Sequence, residues 1–221
     1  MKCWLMHALK SSIGLKVIMA LTGLMLFGFL LAHLAGNLII FAGADAFNAY
    51  GQSLRDLGPL LWVARIGLLV IFVSHITSAI ILTQRNRAAR GSSYAFENKN
   101  LTSHASRTMM VTGSLVLAYL AFHLAHYTLH LTHPEYADLN GDIYQMVVSG
   151  FSEPLVSGIY IIAMLLIGFH LSHGIASLFL TLGFNHPKYK PSIKCAGLLA
   201  SLVISLGFIS IPLAVLLGFI Q

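Results

Sequence analysis

The chain has 221 residues, of which 57% are hydrophobic and only 9% charged, and its mean hydropathy is +0.81. A water-soluble domain carries roughly 25% charged residues, so the composition excludes a soluble globule. The net charge of +6 does not point to nucleic acid, because the basic residues flank apolar runs.

Five uncharged runs cover residues 17–44, 66–84, 108–134, 154–187 and 195–221. About 20 apolar residues cross the hydrocarbon core as a helix. The expectation is an all-α integral membrane bundle of five transmembrane helices, at about 13–42, 59–84, 106–132, 154–182 and 194–220. These spans use nearly the whole chain, so residues 1–221 read as a single transmembrane domain. The first run exceeds a signal-peptide core of roughly 7–15 residues. It also ends in a polar His33, Gly36, Asn37 pattern that targeting does not require.

In chain order, Lys2, Lys10 and Lys16 precede span one, and residues 43–58 form the first loop. Span two carries Arg65 near its start and His75 near its middle. A basic loop, 85–106, leads to Arg107 and span three, which holds His123, His126 and His130. The next loop, 133–153, contains Asn140-Gly141-Asp142, a turn signal. Residues 152–154 read as a helix start with Pro154 near N1. Span four holds His170 and His173; a short loop, 183–191, precedes span five, which has no histidine. No internal repeat stands out. Cys3 and Cys195 lie too far apart in the chain to suggest a disulfide framework or a Cys-x-x-Cys site.

Eleven of the 13 basic residues fall on one side of this layout, and six of the seven acids on the other. The positive-inside rule puts the N-terminus and the basic loops in the cytoplasm and the C-terminus outside. A multi-pass location in the cell inner (cytoplasmic) membrane follows.

Histidine is costly in hydrocarbon and normally faces the bundle interior with a partner. Here spans one to four each carry at least one. At 1.5 Å per residue, His33 and His123 lie ~26 and ~24 Å from the cytoplasmic end, His75 and His170 ~15 and ~20 Å. Two levels result, each fed by two helices. Such an arrangement suits two six-coordinate haems, with an imidazole on each face. His126 and His173 stand at i+3 from His123 and His170 and share their helix faces, so spacing leaves them as alternative ligands. A transported metal ion is the competing use, but no Asp or Glu lies inside any span, and hard ions prefer oxygen ligands.

Several segments then carry a likeness. They are Ser11-Ser12-Ile13-Gly14 and Ala20-Leu21-Thr22-Gly23, then His33-Leu34-Ala35-Gly36-Asn37-Leu38 and Ala46-Phe47-Asn48. Ser74-His75, Phe122-His123-Leu124 and Phe169-His170-Leu171-Ser172-His173-Gly174 complete the set. In order and spacing the chain resembles the single-subunit, five-helix, two-haem cytochrome b anchor of succinate dehydrogenase and fumarate reductase. The resemblance implies two haem b groups, with His33 and His123 ligating the outer one and His75 and His170 the inner. It favours His123 and His170 over His126 and His173, since some relatives lack the second histidine of each pair. It also implies menaquinone or another quinone as substrate. A flavoprotein and an iron–sulfur subunit are the implied cytoplasmic partners, beside membrane lipid and with no nucleic acid. The chain has neither a flavin fingerprint nor a cysteine cluster, so succinate chemistry lies on those partners. Acids found in the fourth helix of some fumarate reductases are replaced here by residues such as Leu171 and Ser172. The rival readings are a haem b subunit of another dehydrogenase, of hydrogenase or formate dehydrogenase type, and a metal-ion transporter.

Two further assignments concern polar residues near the two levels. Arg65 and Arg107 are candidate partners of the haem propionates, because an unpaired charge inside a span is costly. Asn37 stands one turn beyond His33. Asn48, Gln52 and Arg55 are spaced at four and three residues and share a face if their loop is helical. Together these four are the candidate quinone residues.

Overall fold

The computed structural model describes residues 4–89 and 104–221, with side chains from His7 and from Thr108 onward in those two segments. Most of the expected basic loop 85–106, and the Arg107 side chain, lie outside the described residues. Every regular element among the described residues is helical. In chain order these are α1 (Trp4–Lys10), α2 (Ser12–Leu38), α3 (Ala44–Asp56), α4 (Pro59–Ala89), α5 (His104–Tyr127), α6 (Ile143–Ser152), α7 (Pro154–Thr181) and α8 (Lys190–Leu216). Five of them, α2, α4, α5, α7 and α8, are long and apolar enough to cross a membrane. The protein is a multi-pass membrane protein.

Local chemistry sets the boundaries. The Ser11 hydroxyl accepts the Gly14 N–H at 2.9 Å and opens α2, satisfying one of the free donors of a first turn. Gly43, at φ +99°, separates α2 and its 3-10 extension from α3, a backbone state that needs no Cβ. The Asp142 carboxylate accepts the Gln145 N–H at 2.9 Å to start α6, and Pro154 stands at the start of α7, where its missing N–H costs nothing. The third span is shorter than expected. It ends at Tyr127, not near 132, because the chain turns through His130 at φ +52° while Leu129 and Leu131 donate back to Leu124 and Ala125.

The packing is asymmetric. Helix α4 lies against α2, α5 against α7, and the two pairs meet along α2 and α7, while α8 packs most closely on α7. Small residues make that last contact possible. Gly197, Ser201 and Ser205 recur every four residues on one buried face of α8, and a Cβ on Gly197 would stand 3.3 Å from the Ser172 carbonyl. Lipid offers no hydrophobic drive between helices, so close backbone approach must supply the attraction. Outward faces stay apolar: Leu69 is 61% and Val203 64% exposed, as hydrocarbon-facing residues should be.

At one end of the bundle α3 and α6 pack on each other, and α6 also packs on α7 and α8. Phe47, Val147, Val148, Phe151, Val156 and Tyr160 form a buried cluster there with Ile211 and Val215. Helix α6 is not apparent in the charge pattern, yet Ile143, Val147, Val148 and Phe151 place one apolar face inward at helical spacing. Among the described residues, this end carries the acids. The opposite end carries the loop between α7 and α8 with Lys188, Lys190 and Lys194.

Candidate functional site

The histidines nearer the basic end are held in the same way on two helices. His75 of α4 places Nδ1 3.2 Å from the Thr22 hydroxyl and 3.2 Å from the Met19 carbonyl of α2. A carbonyl only accepts, so His75 carries its proton on Nδ1. The Thr22 hydroxyl donates to the Ile18 carbonyl at 2.7 Å, which leaves its oxygen to accept from His75. His170 of α7 repeats the arrangement on α5. Its Nδ1 is 3.2 Å from the Thr112 hydroxyl, which donates to the Thr108 carbonyl at 3.1 Å. In both rings Nε2 is the nitrogen with the free lone pair. A Cβ on Gly23 would lie 3.3 Å from Cε1 of His75, and one on Gly113 3.4 Å from Cε1 of His170. Each ring therefore lies over a glycine that follows its threonine.

The second pair lies towards α3 and α6. His33 of α2 and His123 of α5 meet edge to face, with ring centroids 6.1 Å apart and planes at 82°. Two imidazoles bound on opposite sides of one metal ion have centroids roughly 6 Å apart, given metal–nitrogen bonds of ~2 Å. His33 stacks on Phe29 and meets Phe208 of α8. Asn37 donates to the His33 carbonyl at 2.8 Å, with its amide nitrogen 3.4 Å from the His33 ring. His123 Nδ1 lies 3.2 Å from the Tyr160 hydroxyl.

The two alternative histidines have their nitrogens engaged otherwise. His126 is fully buried. Its Nδ1 is 3.1 Å from the Tyr160 hydroxyl, and its Nε2 is 3.4 Å from that of Tyr136. The contacts form one chain, His123–Tyr160–His126–Tyr136, which either hydrogen-bond direction satisfies throughout. His173 places Nε2 3.3 Å from Ser177 one turn on. The donor set therefore fits haem: four imidazoles on four helices, at least two with Nε2 free by tautomer, and glycines that let those two rings lie close against the facing helix.

Three of the quinone candidates lie together on α3 and are knitted into the fold, while Asn37 stands on α2 bonded to His33. Asn48, Gln52 and Arg55 share one face of α3, which is indeed helical. Asn48 donates to Asp142 at 2.9 Å and accepts the Tyr144 N–H at 3.0 Å, tying α3 to α6. Gln52 donates to Asp56 at 2.7 Å and accepts from Arg55 at 2.9 Å, and Arg55 reaches the Gly141 carbonyl at 3.4 Å. The Gln145 N–H and then the Asn48 amide hold the Asp142 carboxyl below its usual range. Nearby, His133 lies 2.8 Å from Glu135 and 3.6 Å from Glu153. Its own backbone N–H and then His133 lower the Glu135 carboxyl, while burial raises the Tyr136 phenol. A surface cavity of about 180 Å³ opens between His133, Tyr136, Gln145 and Glu153. Arg65 is exposed, its guanidinium 5.1 Å from the Trp62 ring centroid, an interfacial cation–π pair.

Tyr160, Thr22 and Thr112 escape a reading of the sequence for metal chemistry. A signal for the threonines does exist. Thr22-Gly23 precedes His33, and Thr112-Gly113 precedes His123, by the same eleven and ten residues. This is an internal repeat: the α2–α4 pair and the α5–α7 pair are built alike.

An apolar bundle of five candidate spans with histidines on four of them is a helical membrane subunit. Residues 83–210 match the family described as succinate dehydrogenase/fumarate reductase transmembrane subunit, and the chain belongs to that family. The match includes His123, His126, His170 and His173 and stops short of His33 and His75. No curated protein and no solved structure matches the chain. Membership separates the chain from metal-ion transporters and from hydrogenase-type cytochromes.

Proposed function

We propose that this chain is a two-haem cytochrome b anchor that carries electrons between a cytoplasmic iron–sulfur subunit and membrane quinone. His33 and His123 hold one haem, and His75 and His170 the other. The observation that carries the reading is the repeated Thr–His pair, which leaves Nε2 free on a ring from each half of the molecule. The 6.1 Å approach of His33 to His123 supports it. So does the engagement of both His126 nitrogens by tyrosine hydroxyls. Haem, when bound, supplies reversible one-electron carriage whose potential follows its ligands and burial. The residues contribute ligation, tautomer control and exclusion of water. Arg107 and Arg65 are the proposed propionate partners, Arg65 by leaving its place on Trp62.

The remaining roles follow from the two ends. The N-terminus and basic loops face the cytoplasm of a cell whose inner membrane holds the protein. A cleft of about 410 Å³ bordered by Lys190 and Lys194 forms part of the seat for the iron–sulfur subunit, itself joined to the flavoprotein. Menaquinone or another quinone reacts at the acidic end, beside Asn37, Asn48, Gln52 and Arg55.

The test is haem content and company. The chain purified with its soluble partners should carry two haems b, and His33→Ala, His75→Ala, His123→Ala and His170→Ala should each remove one or leave it high-spin. Loss of haem in His126→Ala and His173→Ala, with none in His123→Ala and His170→Ala, overturns the ligand assignment. Copurification of unrelated dehydrogenase subunits overturns the function.

A further inference from the structure

We infer that Thr22 and Thr112 are positioning residues that set the tautomer and the electron donation of His75 and His170, and do so unequally. The inference rests on the haem reading above. A threonine inside a transmembrane helix ordinarily turns its hydroxyl back to the carbonyl one turn earlier. Both do, at 2.7 Å for Thr22 and 3.1 Å for Thr112. That bond uses up the hydroxyl hydrogen. Each threonine oxygen is thus presented across the helix interface as an acceptor only, 3.2 Å from a histidine Nδ1 on the next helix. A histidine facing such an oxygen must donate Nδ1–H, and Nε2 is left bare for metal. Helix, threonine, glycine and ring recur in both halves, so one device serves both ligands.

The two copies differ in one bond. His75 Nδ1 also has the Met19 carbonyl at 3.2 Å, whereas among the described residues the polar partner of His170 Nδ1 is Thr112. His75 therefore keeps its tautomer without Thr22, and His170 does not keep it without Thr112. An N–H bonded to an acceptor makes the opposite nitrogen a better donor and favours the ferric ion, whose bound imidazole is the more acidic. Losing the acceptor should raise the reduction potential. One net hydrogen bond bounds the effect at roughly tenfold in the ferric/ferrous ratio, or about 59 mV for one electron.

The experiment uses the full chain with its haem, in detergent or nanodiscs, and follows potentials by optical redox titration and ligand geometry by electron paramagnetic resonance. Thr112→Val should raise the potential of the centre nearer the basic end and alter its low-spin signal. Thr112→Ser should restore both, and Thr22→Val should shift the potential less. In haem-depleted protein, nitrogen NMR should find His170 on the Nδ1–H tautomer in wild type and mixed in Thr112→Val. Haem retained with an unmoved potential and unchanged tautomer overturns the inference and leaves the haem reading standing. Loss of haem in Thr112→Val supports it if Thr112→Ser keeps the haem, and overturns it if the serine variant loses it too. Full haem content in both His75→Ala and His170→Ala brings down the reading and the inference with it.

Discussion

Tyr160→Phe isolates the hydroxyl that joins two histidines. The ring is 5% exposed and sits among Tyr119, Phe122, Tyr127 and Phe151 at centroid distances of 5.0–5.9 Å. Phenylalanine keeps that packing, so the change is close to pure loss of two hydrogen bonds, 3.2 Å to His123 and 3.1 Å to His126. Each buried group left without its partner costs about 1–3 kcal/mol in a soluble protein. Interhelical bonds inside membranes average nearer 0.6 kcal/mol. His126 keeps Tyr136 on its other nitrogen, so the sum falls at about 1–3 kcal/mol. Denaturant-induced unfolding in mixed micelles reads it directly, with the haem spectrum of the centre proposed at His33 and His123 as the second signal. The proper comparison is Tyr127→Phe. Its hydroxyl is buried without a partner among the described residues, so removing it should be neutral or stabilising. Equal unfolding free energies for Tyr160→Phe and wild type, with an unchanged spectrum, would refute the hydrogen-bonded chain.

Asn48→Ala should loosen α3 from α6 and let the Asp142 carboxyl return towards its ordinary value. A lowered folded pKa stabilises above the unfolded pKa, near 4, and that stability drains as pH falls through the lowered value. The variant should therefore show a shallower loss of thermal stability between pH 5 and about 3; an unchanged slope counts against the Asn48–Asp142 bond. Gly36→Ala drives a methyl into the Tyr50 ring on α3 and should cost about 1–3 kcal/mol; a full-stability variant means that α3 can move away freely. Gln52→Ala and Arg55→Ala should lose quinone turnover with both haem spectra intact. Normal turnover in both, with loss on changes beside His75, moves the quinone to the other end.

The five spans were legible because hydrocarbon imposes length and apolarity on each helix independently of its neighbours. Rise per residue converts chain position into depth, and His33 and His123, which it puts at one depth, have ring centroids 6.1 Å apart. What stayed hidden depends on pairs of helices. His126 looks equivalent to His123 from spacing; both bond the Tyr160 hydroxyl, and it is the Tyr136 hydroxyl, 10 residues from His126, that occupies the second nitrogen of His126 alone. Thr22 and Thr112 read as ordinary helix residues until the opposite ring is in place. Helix α6 hides because its ten residues carry a short apolar face beside acids that mark a loop. Asn48, Gln52 and Arg55 were rightly placed on one face, but charge and amide patterning could not reveal that they already bond to α6 and its preceding turn.

The repeat has a consequence for biogenesis. Under the proposed ligation, each histidine pair draws one ring from the α2–α4 hairpin and one from the α5–α7 hairpin. Neither hairpin contains a complete pair. A chain emerging N-terminus first would insert His33 and His75 with no counterpart for either. Insertion of α5 completes the first pair, and only α7 completes the second, with α8 still to follow. Cofactor capture would then run in a fixed order, and a ribosome stalled before α7 would leave a chain competent for one group and not two.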